Sequence, residues 1–253
     1  MAAPTSTSRS RSGRGRARLR NYGRSVAEPL LVARGVRKTY RSASLEVEAL
    51  RGINVDIWPG ELVMVMGPSG NGKTTMLNCL SGLDDIDAGS VLIDGMDLHR
   101  VSDARRTAHR AARMGFVFQS FNLIPVFNAV ENVELPLLVL GRGSGEARHA
   151  AVDMLHRVGL GDRALHRPAE LSGGEQQRVA IARALVAQPG IVWADEPTGN
   201  LDSQTADAVL DLLFEANRAG QTLVIVTHDW GIGARGQRLL HVRDGLIVAD
   251  GPP

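Results

Sequence analysis

Gly67-Pro68-Ser69-Gly70-Asn71-Gly72-Lys73-Thr74 is the stretch on which the reading of the chain turns. It follows the apolar run 61–66 and opens the helical stretch 73–83, so it joins a strand to a helix. Glycine at 67, then four residues, then Gly-Lys-Thr, is the pattern of a phosphate-binding loop. The glycines let the backbone wrap closely, so that successive N–H groups point inward at phosphate oxygens. The start of the helix adds partial positive charge. Lys73 would reach the β- and γ-phosphates and the Thr74 hydroxyl would ligate Mg²⁺. Only two of the 29 lysines and arginines are lysines, Lys38 and Lys73, so an accidental Gly-Lys-Thr is a weak rival.

Outward from this loop, strands and helices alternate. Residues 30–40 and 53–57 alternate loosely, as half-buried strands do, and Trp58-Pro59-Gly60 turns into the strand 61–66. Further strand signals lie at 91–93, 116–118, 191–194 and 222–227, with a helix over 206–217. Residues 239–249 read as a hairpin around Asp244-Gly245. The middle, from about 121 to 168, is helical instead, with a glycine-rich connector at 141–145 and helical apolar spacing over 147–158. The arginine-rich stretch 105–113 reads as a solvated helix face. An α/β core carrying an inserted helical subdomain, at about 120–170, accounts for this order.

Composition narrows the function. The chain has 253 residues, 43% hydrophobic and 22% charged, as an ordinary globular domain has. Residues 1–28 hold seven arginines and one glutamate, a net of +6, which leaves −4 of the overall +2 for the rest. This basic Ser/Arg/Gly-rich tail cannot bury enough apolar surface to fold alone and is expected to be disordered. An inert extension, contact with anionic lipid or nucleic acid, and an upstream misassigned start codon all fit it. The folded domain is expected over 29–253, with no nucleic acid as its partner. A single cysteine, Cys79, fits a buried hydrophobe in a reducing compartment. No run reaches the ~18 apolar residues of a membrane span, and no apolar segment follows the basic start, so membrane contact is expected through a partner.

Two further motifs carry chemistry. Ile191-Val192-Trp193-Ala194-Asp195-Glu196 is an apolar strand ending in two acids, a costly arrangement unless they bind something. Asp195 is placed for the Mg²⁺ shell and Glu196 for polarising a water. Leu171-Ser172-Gly173-Gly174-Glu175-Gln176-Gln177 leads into a helix over 176–186, a second anion-binding helix start.

In this order, the three motifs resemble those of the ABC ATPase family, and the resemblance runs from Leu30 to the end of the chain. It implies a P-loop NTPase (RecA-like) core with an antiparallel β subdomain and an inserted helical one, binding and hydrolysing ATP with Mg²⁺. Two subunits would pair head to tail as a homodimer, each ATP lying between one P-loop (Gly67 to Thr74, then Thr75) and the partner's Ser172, Gly173, Gly174 and Gln176. By the same resemblance, Tyr40 matches the aromatic residue that stacks on adenine. Gln119 matches the loop glutamine that senses Mg²⁺ and water, and Asp202 the aspartate of the loop crossing the dimer interface. His228 matches the switch histidine on the γ-phosphate; the other six histidines read as surface residues. Asn71, where many relatives have serine, is expected to contribute mainly its backbone. Trp193 is bulkier than the usual residue before the acids. Glu131-Asn132-Val133-Glu134-Leu135-Pro136-Leu137 and Pro197-Thr198-Gly199-Asn200-Leu201-Asp202-Ser203 look like the branch serving lipoprotein release, macrolide or peptide export, and cell division. That branch implies an integral membrane permease or mechanotransmitter as partner and a place on the inner face of the cell membrane. The alternative is a soluble ABC ATPase without a transporter, in regulation, assembly or DNA-associated work. A chromosome-organising head is disfavoured, because fewer than a hundred residues separate Thr74 from Leu171 and show no heptads.

Overall fold

The apolar runs become the strands of two sheets in the computed structural model, which describes residues 1–2, 28–42 and 46–253. The expected disordered tail lies almost wholly outside the described residues. In chain order the elements are β1 (Leu31–Arg41), β2 (Glu46–Ile57), β3 (Leu62–Met66), α1 (Lys73–Leu80), β4 (Ala88–Ile93), β5 (Met96–Asp97), α2 (Asp103–Arg113) and β6 (Met114–Phe118). Then follow α3 (Ala129–Val139), α4 (Ser144–Arg157), two 3₁₀ turns, α5 (Gly173–Leu185), β7 (Ile191–Asp195), α6 (Ser203–Arg218), β8 (Thr222–Val226), α7 (Trp230–Gly233), β9 (Arg238–Arg243) and β10 (Leu246–Gly251).

One sheet is antiparallel, in the order β2-β1-β4-β5. The other runs β10-β9-β3-β8-β7-β6; β9 to β6 are parallel and β10 closes the edge as an antiparallel hairpin. Parallel strands covered on both faces read as unbroken apolar runs, and every residue of β3 and β8 is buried. Successive side chains leave a strand on opposite faces. Val63 and Val65 therefore join Val224, Val226 and Trp193 against α1 and the antiparallel sheet. Leu62 and Met64 join Val192, Ala194, Leu223 and Ile225 against α5 and α6. Trp193 is buried in full, its bulk absorbed between α1 and the antiparallel sheet, and its indole Nε1 has no hydrogen-bond partner among the described residues.

The helices α3, α4 and α5 build a third apolar cluster around Val133, Leu137, Ala151, Leu155, Val179 and Ala182. Helix α5 serves both sides: Ile181 and Ala184 face the sheet, Val179 and Val186 face the helices. Helix α3 was not resolved as an element in the sequence because Pro136 lies inside it; what starts it is a capping box between Asn128 and Glu131.

Several boundaries move. Helix α1 stops at Leu80 instead of 83, since Gly82 sits at φ +66°. Helix α5 begins at Gly173, three residues before the expected start, and the connector after α3 is shorter because α4 begins at Ser144. The arginine face of α2 is anchored, not merely solvated: Arg106 pairs with Asp85 and Asp103, Arg110 donates to the Gly82 carbonyl and Arg113 pairs with Asp94.

Candidate functional site

Four neighbouring parallel strands, β3, β8, β7 and β6, end on the same edge of the sheet. The carboxyl ends of parallel strands are where open α/β sheets bind ligands. β3 delivers the loop 67–74, β8 delivers His228, β7 delivers Asp195 and Glu196, and β6 delivers Gln119. A cavity of about 710 Å³ lies there, lined by Tyr40, Ser69 to Thr75, Gln119, Glu196 and His228 among others.

The loop is built to receive an anion. Gly72 starts α1 at φ +93° with no side-chain cap, and no acid sits in the first turn, so the N–H groups of that turn have no competing carboxylate. By contrast α2, α3, α5 and α6 each have a side-chain cap. Gly67 must be glycine: at φ +150°, an added Cβ would lie 2.0 Å from the Val242 carbonyl oxygen of β9. Lys73 is buried, and its ammonium donates to the carbonyls of Gly67 (2.8 Å) and Pro68 (3.0 Å), which curls the side chain back over the loop.

Asn71 departs from the backbone-only expectation. Its Oδ1 accepts from the Asp244 N–H (2.8 Å) and its Nδ2 donates to the Ser69 carbonyl (3.1 Å). The Asn71 carbonyl also accepts from Gly245 N–H (3.2 Å), so this one residue ties the loop to the β9–β10 turn. The reason is reach: a side-chain amide has both an acceptor and a donor arm.

Across the cavity, the Thr74 hydroxyl donates to Asp195 Oδ1 (3.2 Å). Burial pushes the Asp195 carboxyl above its ordinary range; the Thr74 bond opposes this and neighbouring Glu196 adds to it. Glu196 sits at φ +47°, a left-handed conformation that costs a side-chain-bearing residue about 1 kcal/mol. Its N–H donates to the Val226 carbonyl (2.9 Å) and its own carbonyl accepts from Gly199 N–H (3.0 Å), which hold it there. Glu196 Oε1 lies 2.8 Å from His228 Nδ1. Gln119 exchanges two bonds with Asn200: its Nε2 reaches Asn200 Oδ1 (3.1 Å), and Asn200 Nδ2 reaches its carbonyl (3.0 Å).

Tyr40 lines the cavity with its ring half exposed; its hydroxyl donates to Asp84 (2.7 Å) and the Lys38 ammonium lies 5.1 Å from the ring centroid. Ser172, Gly173, Gly174, Gln176 and Asp202 do not line this cavity. Ser172 caps α5 by accepting from Glu175 N–H (3.3 Å), and Glu175 reaches back to Ser172 N–H (2.8 Å). The second helix start is therefore already closed by a capping box, a feature its glycines had not suggested. Gly174 packs against α6, where an added Cβ would meet Thr205 Cγ2 at 2.1 Å. Gln176 donates to the Leu171 carbonyl (3.1 Å), and Asp202 caps α6 by accepting from Thr205 N–H (3.0 Å), which lowers its pKa.

Four of the histidines read as surface residues are partly buried: His99 contacts the Cys79 carbonyl (2.9 Å), His109 is pushed toward the neutral form by burial, His166 lies 3.1 Å from the Arg163 guanidinium and His241 stacks on Trp230. Sequence reasoning also missed Gln177, fully buried between the cavity loops; its only signal was a third polar residue in a row at a helical position facing the sheet.

No helix among the described residues is long and apolar enough to cross a membrane. The family model described as ABC transporter matches residues 50–199. An ABC transporter ATP-binding protein of Escherichia coli (strain K12), YbbA, is 47% identical over 87% of this chain and 97% of its own length. The lipoprotein-releasing system ATP-binding protein LolD of Pseudomonas fluorescens is 46% identical over 87% of this chain and 97% of its own. The macrolide export ATP-binding/permease protein MacB of Brucella melitensis is 45% identical over 88% of this chain, which spans 34% of MacB. Among solved structures, the dimeric cassette MJ0796 bound to ADP and Pi superposes with a TM-score of 0.82 at 43% identity, covering 88% of this chain and 98% of that one. The strand-end cavity, its phosphate-binding loop and these likenesses agree: the chain belongs to the ABC transporter family and is one of its ATP-binding, ATP-hydrolysing subunits.

Proposed function

We propose that two copies of this chain pair head to tail, each ATP held between one copy's P-loop and the other's Ser172 to Gly174, and that the pair drives a membrane permease or mechanotransmitter of the lipoprotein-release or macrolide-export type. The observation that carries the reading is the one-sidedness of the cavity: P-loop, Glu196 and His228 line it, while the second glycine-rich helix start lies elsewhere on the chain. The dimeric cassette at 43% identity supports pairing, and LolD and MacB support the type of partner.

The protein's own groups divide the work as follows. Lys73 and the loop amides hold the phosphates, and the Tyr40 ring is the platform for adenine. Thr74, Asp195 and Gln119 would hold Mg²⁺: all three offer hard oxygen donors, and the buried Asp195 carboxyl, raised in pKa without a cation, suits one. Bound Mg²⁺ neutralises charge on the phosphates. Glu196 orients and deprotonates the attacking water, and the 2.8 Å contact to His228 Nδ1 holds the carboxylate in place and would leave the other ring nitrogen for the γ-phosphate. Asp202 lies on the loop that would cross to the second copy. The assembly would sit on the inner face of the cell membrane, with contact through its partner.

The test is Glu196→Gln, expressed with a tag and recovered from solubilised membranes in ATP and Mg²⁺. Turnover should vanish while ATP binding and a stable pair remain, and a membrane protein with few spans and a large extracytoplasmic domain should co-purify. Retained turnover would remove Glu196 from its role. Recovery of soluble proteins alone would favour a cytosolic ABC ATPase.

A further inference from the structure

Gln177 lies in the second turn of α5, the helix whose start carries Ser172 to Gly174, and is buried in full. Its Nε2 donates to the Phe118 carbonyl (3.3 Å) and to the Pro197 carbonyl. Phe118 immediately precedes Gln119, and Pro197 immediately follows Glu196. The two loops leave adjacent strands in register, Phe118 opposite Asp195, and one amide group bridges them. Its Oε1 is buried with no hydrogen-bond partner among the described residues. An apolar side chain would avoid that unpaired acceptor, so the two donated bonds are what the glutamine supplies here.

We propose that Gln177 is a positioning residue for hydrolysis, which couples the pose of α5 to the loops bearing Gln119 and Glu196; this rests on the roles proposed above for those two residues. A second copy engaging Ser172 to Gly174 presses on the start of α5. Gln177, one turn further along, passes that displacement to both carbonyls together. The two loops are joined again by the Gln119–Asn200 pair, so they respond as one body. Occupancy of the signature stretch on one copy is thereby felt at the water-activating carboxylate of the same copy.

The test is Gln177→Met, similar in length and without donors. Turnover kcat should fall about tenfold, equal to 1.36 kcal/mol of barrier, with KM for ATP changed by less than about twofold. ATP-driven pairing, read by size-exclusion chromatography in the Glu196→Gln background, should persist. In a Gln119→Ala background the further loss from Gln177→Met should shrink, since both act on one network. Unchanged kcat overturns the proposal, and so does an equal loss in both backgrounds, the behaviour of a purely structural residue. If Gln177→Met fails to fold, Gln177→Asn, which keeps the amide one methylene shorter, should also lose kcat, and normal turnover there overturns it equally. Turnover retained in Glu196→Gln would instead remove the underlying reading, which separates the two failures.

Discussion

Replacing Asn71 by alanine isolates the tie between the phosphate-binding loop and the β9–β10 turn. The side chain makes two bonds, from Asp244 N–H at 2.8 Å and to the Ser69 carbonyl at 3.1 Å, both at an exposed position. Water can replace each in part, so about 0.5 kcal/mol apiece, the low end for such bonds, is the appropriate magnitude. The backbone bond from Gly245 N–H to the Asn71 carbonyl survives the substitution, which limits the loss to about 1 kcal/mol in all. The loop is ordered by this turn before nucleotide arrives, so most of that energy should appear as binding affinity, about fivefold in Kd. Titration of ATP into the Asn71→Ala, Glu196→Gln double variant, against Glu196→Gln alone, reads the affinity without turnover. Thermal melting without nucleotide should fall by less than about 2 °C, since 1 kcal/mol lost in full would cost about 2–4 °C in a domain of this size and most of it is expressed in binding. Unchanged affinity and unchanged melting together would refute the view that the hairpin turn holds the loop in its binding shape.

Gly67→Ala should abolish ATP binding and lower the melting temperature far more than Asn71→Ala, because its Cβ meets backbone, the Val242 carbonyl at 2.0 Å, at a φ of +150°; normal binding in a thermal-shift assay with ATP would contradict that close approach. Cys79, the only cysteine, is fully buried with its thiol pushed up to about 12 by burial, and should resist iodoacetamide at pH 8 until denaturant is added. The fold favours the neutral thiol, so this group's contribution to stability is intact below its ordinary value of 9.0 and is lost as pH rises toward 12, which an alkaline melting series would read.

What was legible in the sequence is what backbone chemistry forces into a short span. A phosphate cradle needs glycines, a lysine and a hydroxyl within eight residues, and a buried strand ending in Asp195-Glu196 can be read without knowing its neighbours. The order of β3, β8, β7 and β6 was not legible, although it is what brings Lys73, His228, Glu196 and Gln119 to one edge. Pairings across long sequence distances were equally hidden. Asn71 with Asp244, Gln119 with Asn200 and Gln177 with Phe118 and Pro197 join polar residues whose local patterns are those of any loop or helix. Helix α3 was obscured for a different reason: Pro136 breaks the helical pattern, yet packing of Val133 and Leu137 against α4 and α5 outweighs one missing backbone bond.

The same contrast bears on how the two helix starts differ in purpose. That of α1 is uncapped and free of acid, a site ready for phosphate in a single chain. That of α5 is occupied by its own capping box, with the Glu175 pKa lowered by the hydrogen bond its carboxylate accepts from the Ser172 N–H. A phosphate approaching Ser172 must compete with that internal bond and with a negative charge in the first turn. In the pairing proposed above, the P-loop would therefore bind nucleotide first, and the α5 start of the second copy would add to a phosphate already held by Lys73. On this physical ground the proposed pairing would follow nucleotide binding, and an ATP-free pair of the Glu196→Gln variant in size-exclusion chromatography would refute that order.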